Sequence, residues 1–157
     1  MDPETLRLVS FIWMKTSTVL AVVVGIWALW RGQWPERYGA LLIWFTWILS
    51  PIVQTPRPGF DPGIATVDTL TMIGFFILSL WSRRFWTAFI AAFMLLAVLG
   101  HFASLLSHDL SLFVYITANS FWGGYALVFA LMAGMISLER QRRSARPDRA
   151  ASPAPPH

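Results

Sequence analysis

Five runs of apolar residues, separated by short polar or charged connectors, organise this chain. They cover Val9 to Trp30, Tyr38 to Val53, Ile64 to Trp81, Trp86 to Leu106 and Leu110 to Leu138. Within each run the hydrophobicity is continuous, whereas a strand of a membrane barrel alternates apolar and polar residues. A membrane-spanning helix needs roughly 17–25 residues. The fourth and fifth runs satisfy this easily, and the second is the shortest. The pattern predicts an all-α fold: a polytopic membrane bundle of five transmembrane helices over residues 1–138. A disordered, basic, Pro-rich tail is expected from 139 to 157.

Charge turns the pattern into a topology. The connectors "RGQWPER" (Arg31–Arg37) and "SRR" (Ser82–Arg84), with the tail "ERQRRSARPDR", hold nine of the twelve Lys and Arg residues. Only Arg7, Lys15 and Arg57 lie elsewhere. Cytoplasmic loops carry the excess of Lys and Arg. All three basic segments share that side only with five crossings, an outer N-terminus and an inner C-terminus. Trp30, Trp34, Trp81 and Trp86 then form an aromatic belt at the inner interface. Tail residues Arg140, Arg142, Arg143, Arg146 and Arg149 are expected to lie on anionic headgroups.

Composition agrees: 56% of residues are hydrophobic and 13% charged, against about 25% charged in a soluble domain. The net charge of +4 is placed as topology signals are, so nucleic acid is not an expected partner. The lipid bilayer, other membrane subunits or a second copy are. The absence of cysteine excludes disulfides and thiolate metal sites. No phosphate-binding loop, nucleophile triad or zinc-protease pattern is present. The start "MDPETLRLVSF" does not read as a cleavable signal peptide.

Small residues at helical spacing mark expected packing faces: Ser17, Ala21, Gly25 and Ala28 in the first run, and Gly123, Ala126, Ala130 and Gly134 in the fifth. Such stripes let helices approach closely in lipid. Ala97, Gly100, Ala103, Ser104 and Ser107 suggest a central fourth helix. The bulky "LLIWFTWIL" of the second suggests one that faces lipid or a large partner.

The remaining polar groups gather on the outer side. The topology places Asp68, His101 and Asn119 at similar depth in the outer half, as a candidate intramembrane cluster. Gln54, Asp61, His108, Asp109 and Tyr115 lie nearer the outer surface. The loop "QTPRPGFDPGIA" reads as a connector or as a cover over the outer mouth. Ionisable residues within a membrane are costly and are functional candidates by default. His101 fits three roles: a structural hydrogen bond to Asp68, Asn119 or a backbone carbonyl; proton handling with Asp68; or ligation of haem or a chlorophyll-type pigment. Asp68 also fits a helix cap beside Thr66. No other cofactor and no metal site is expected.

The stretches "SRRFWTAFIAAFMLLAVLGHFASLL" and "VYITANSFWGGYALVFALMAGM" resemble a group of small bacterial inner-membrane proteins. These share an Arg–aromatic start, an inward histidine in the helix that follows, and a Tyr/Trp-bearing last helix. The resemblance implies a bacterial inner-membrane location and carries no activity. Three function classes stay open: a noncatalytic accessory or scaffolding subunit or homo-oligomer, a small transporter or ion-conducting oligomer, and a pigment- or haem-binding subunit.

Overall fold

A computed structural model describes residues 3–55, 60–106 and 121–150. His108, Asp109, Tyr115 and Asn119 lie outside the described residues. The described chain is all helical: α1 (Pro3–Arg31), α2 (Trp34–Val53), α3 (Pro62–Ser82), α4 (Phe85–Leu106) and α5 (Ala126–Ala150). A five-residue π-helical turn, Phe121–Tyr125, leads into α5. Four stretches are long and apolar enough to cross a membrane: Phe11–Arg31, Pro62–Ser82, Phe85–Ala103 and Phe121–Ala145. The protein is thus a multi-pass membrane protein, all helical among the described residues.

The distribution of side chains has the same meaning. Trp81, Leu80, Ile52 and Ile48 are exposed, whereas Glu36, Thr46, Asp68, Thr71, Thr87 and His101 are buried. An apolar outer surface around a partly polar interior suits hydrocarbon solvent, where each polar group must find a partner inside the fold.

Turn chemistry sets the helix ends. Gly32 closes α1 by donating its N–H to Ala28 O at 2.8 Å. A Cβ at Gly32 would meet that carbonyl and would sit 2.8 Å from Glu36 Cβ, so the two-residue turn into α2 needs glycine. At the start of α2, Glu36 Oε2 accepts from Gln33 N–H at 3.1 Å, and Pro35 occupies the first turn, where its missing N–H costs nothing. The helix therefore begins four residues before the apolar run. The α3–α4 turn is equally tight. Arg83 adopts the left-handed conformation, φ 50° and ψ 35°, and its N–H caps Ser79 O at 3.2 Å.

Glycines in this bundle mainly admit tryptophan rings, not neighbouring backbones. A Cβ at Gly134 would come within 2.7 Å of Trp86 Cδ1, and one at Gly39 within 2.8 Å of the far edge of the same ring. Trp86 is consequently 7% exposed, inserted between α2 and α5. This corrects its expected place in the interfacial belt: Trp86 is a core residue, while Trp30, Trp34 and Trp81 remain exposed. Gly25 likewise receives Trp44, whose indole N–H donates to Ala21 O at 3.2 Å. At Gly123 the added Cβ would lie 3.7 Å from Ala97 Cβ, an ordinary contact between close helices. Ala21, Ala28, Ala126 and Ala130 are buried, and Ser17 is half-buried, donating to Met14 O at 2.9 Å.

Two further expectations change. Only one side of α2 faces outward, through Phe45 and Ile48; Gly39, Ala40, Ile43 and Thr46 are buried against the other helices. The α5 helix continues past Leu138 and includes the positions of Arg140, Arg142, Arg143, Arg146 and Arg149.

Candidate functional site

Ion pairs define one end of the bundle. Arg31 Nε donates to Glu139 Oε1 at 2.9 Å and Arg142 Nη1 donates to the same oxygen at 3.3 Å, joining α1 to α5. Arg84 Nη1 donates to Glu36 Oε1 at 2.9 Å, and Trp86 Nε1 donates to that oxygen at 3.2 Å. Arg84 also bonds the Gln33 side chain. Glu36 is fully buried and joins α2 to α4. The three arginine-bearing segments thus meet at one end, held by carboxylates that reading the segments as topology signals alone passed over.

At the opposite end, Asp61 holds the α2–α3 loop. Its Oδ1 accepts from Gly63 N–H at 2.9 Å and Ile64 N–H at 3.2 Å, forming the N-cap of α3. Its Oδ2 accepts from the Thr55 N–H at 2.6 Å and hydroxyl at 3.0 Å. Asp61 is therefore the cap that Asp68 was one candidate for. Burial opposes ionisation of Asp61, but these four hydrogen bonds outweigh it and hold the carboxyl below the usual carboxylate range. Folding thus favours the ionised form. The stability this adds is complete above the ordinary aspartate value of 3.8 and is lost as pH falls through the depressed folded value. Asp61→Asn should lower the thermal midpoint in detergent at neutral pH, and the gap from wild type should close on acidification into that range. A pH-independent gap would contradict the assignment. Gln54 ends α2 at this loop, with its N–H donated to Ser50 O at 3.0 Å and its side chain exposed.

Below this loop lies the polar pair. Asp68, on α3, is two turns past the helix start, and its Oδ2 is 2.9 Å from His101 Nε2 on α4. The His101 side chain is 1% exposed and that of Asp68 8%. Helix geometry explains the meeting: α3 runs away from the Asp61 end and α4 returns to it, so residues near the start of one and the end of the other share a depth. Phe60, in the loop, lies 6.5 Å from Phe102 between ring centroids. One end of the loop thus packs beside the pair.

One turn deeper, Thr71 Oγ1 and Thr46 Oγ1 are 2.6 Å apart and buried. Each also lies 2.9 Å from the carbonyl four residues earlier, Val67 O and Leu42 O. A hydroxyl has one proton, so one threonine donates to its own carbonyl and accepts from the other. Beyond this pair the interior is apolar, with Ile43, Phe75, Ile90, Met94, Leu131 and Met135 all at 0–1% exposure. Among the described residues, buried polar side chains resume at Thr87 of α4 and Glu36 of α2, the latter about 15 Å along α2 from Thr46 at 1.5 Å rise per residue. Among the described residues, an apolar layer separates the two polar ends.

No group of three or more His, Asp or Glu able to hold a metal occurs among the described residues. In the π-helical turn before α5, Tyr125 donates its hydroxyl to Trp13 O at 2.7 Å, and the two rings lie tilted with centroids 4.4 Å apart. This ties the first helix to the last. No protein-family model, characterised protein or solved structure matches this chain.

Proposed function

We propose that this chain is a noncatalytic, proton-binding protein of the bacterial inner membrane, crossing five times with its N-terminus outside. The observation that carries the proton-binding reading is the buried Asp68–His101 pair, two titratable side chains from different helices in direct contact. A proton gained or lost there changes the charge of a site that ties α3 to α4, and a charge change inside a low-dielectric bundle is costly enough to bias helix packing. The apolar packing of the described residues between Thr46 and Glu36 favours exchange with one side of the membrane over conduction across it. Such a protein suits an accessory subunit or a homo-oligomer whose assembly answers to outer pH.

The five-span topology draws its support from α2. Its polar first turn lowers its hydropathy, yet its 20 residues extend about 30 Å. It packs against two apolar helices: Trp44 over Gly25 of α1, and Thr46 against Thr71 of α3. A helix joined to α1 by two residues and running antiparallel through the same layer crosses when its neighbours cross. The arginine-rich end then faces the cytoplasm. Single cysteines at Arg37, Gln54, Ser107 and Ser144 test this with an impermeant thiol reagent on intact cells. Gln54→Cys and Ser107→Cys should react, while Arg37→Cys and Ser144→Cys should not. Reaction of Arg37→Cys or Ser144→Cys would overturn the topology.

The Asp68 contact also bears on ligation of haem or pigment, because a carboxylate commonly orients a ligating histidine. A bond from Nε2 would have to displace that carboxylate. A visible absorption band in the purified protein, lost in His101→Ala, would favour ligation over proton binding.

A further inference from the structure

Where the end of α1 lies beside the basic part of α5, the two helices border a cleft of about 1050 Å³. Its floor is apolar, from Trp27 and Ile136. Its rim carries Arg31, Arg140, Arg142 and Arg143 against the single carboxylate of Glu139. Four guanidinium groups and one carboxylate leave three positive charges unmatched. Glu139 is already engaged by Arg31 and Arg142, and Arg142 Nη1 also donates to Arg31 O at 2.7 Å, which fixes that side of the rim. Arg140 and Arg143 differ. They stand three residues apart, on one face of α5, and their guanidinium groups have no partner among the described residues.

We infer that this cleft binds an anionic phospholipid, with its phosphate on Arg140 and Arg143 and its acyl chains over Trp27 and Ile136. A phosphate and a guanidinium make charge-assisted, often paired hydrogen bonds. Basic pockets between membrane helices on the cytoplasmic side select anionic headgroups. The apolar floor decides between a lipid and a free anion. Inorganic phosphate gains nothing from Trp27 and Ile136, whereas a lipid places its chains there, continuous with the exposed apolar surface of α1. The inference rests on the reading that the arginine-rich end lies at the membrane interface.

The test titrates dimyristoyl phosphatidylglycerol into the full chain in detergent and reads bound lipid by native mass spectrometry. Phosphatidylcholine with the same chains and inorganic phosphate serve as comparators. The variants are Arg140→Gln/Arg143→Gln and, as a control on another basic residue, Arg83→Gln. Phosphatidylglycerol should bind in preference to phosphatidylcholine and resist displacement by phosphate. The double variant should bind roughly 30-fold more weakly, from about 1 kcal/mol per arginine, and Arg83→Gln should bind as wild type does. Equal binding of the two lipids, displacement by phosphate, an unaffected double variant, or equal loss in Arg83→Gln would each overturn the site. A chain that passes the cysteine test but shows no lipid preference loses this inference and keeps its membrane reading. A chain that fails the cysteine test loses that reading first.

Discussion

Arg84→Leu should be the most destabilising single change at the arginine-rich end, costing about 3–5 kcal/mol, because it strips the charge partner from a fully buried carboxylate. Glu36 would keep only the Trp86 indole and the Gln33 N–H, two neutral donors. Arg84→Leu combined with Glu36→Gln should recover part of the loss, since a neutral amide removes the unpaired buried charge and its single oxygen still accepts from one of the two donors. Thermal unfolding of monodisperse protein in mild detergent reads this as a large fall in midpoint for the single variant and a partial return for the double. Equal midpoints for wild type and Arg84→Leu would mean that Glu36 is not held by charge.

His101→Leu should have a comparable effect at the other end, again about 3–5 kcal/mol, because the Asp68 carboxylate loses its bond in a buried setting. His101→Gln should fall between, as its amide can donate to Asp68. Asp68→Asn/His101→Leu should be more stable than His101→Leu alone. The non-additivity separates a direct pair from two residues that each merely fill space. Additive losses would mean that the 2.9 Å contact carries no coupling.

How much of this was legible in the sequence varies from residue to residue. Asp68 was one of two partners that depth offered to His101, because basic connectors fix which helix ends lie together; the other, Asn119, lies outside the described residues. Glu36 is inconspicuous in "RGQWPER", where the flanking arginines dominate the pattern. A local signal was there: Gln33, a proline near the helix start, and a glutamate three residues after Gln33 together mark a helix N-terminus. Trp86 beside two arginines reads as an interfacial residue. Its burial depends on Gly39 and Gly134 facing it from two other helices, a match of registers that no single stretch contains. The small-residue stripes had the same weakness. Glycine announces close approach without saying whether a backbone or an indole ring approaches. The shift to polar composition after Leu138 announces the end of the apolar surface but not of the helix, since Glu, Arg, Gln and Ala are all good helix formers.

Proton binding by the buried Asp68–His101 pair can be observed on the imidazole itself. The most direct measurement is the ¹⁵N spectrum of the His101 imidazole in histidine-labelled, lipid-embedded protein, followed as pH is lowered through the range in which the fold is stable. The signal is assigned by its loss in His101→Gln. If the pair binds a proton, the ring should convert between its neutral and doubly protonated forms over this range, and Asp68→Asn should alter the conversion. A ring that stays in one form throughout, or one that titrates identically in wild type and Asp68→Asn, would contradict it.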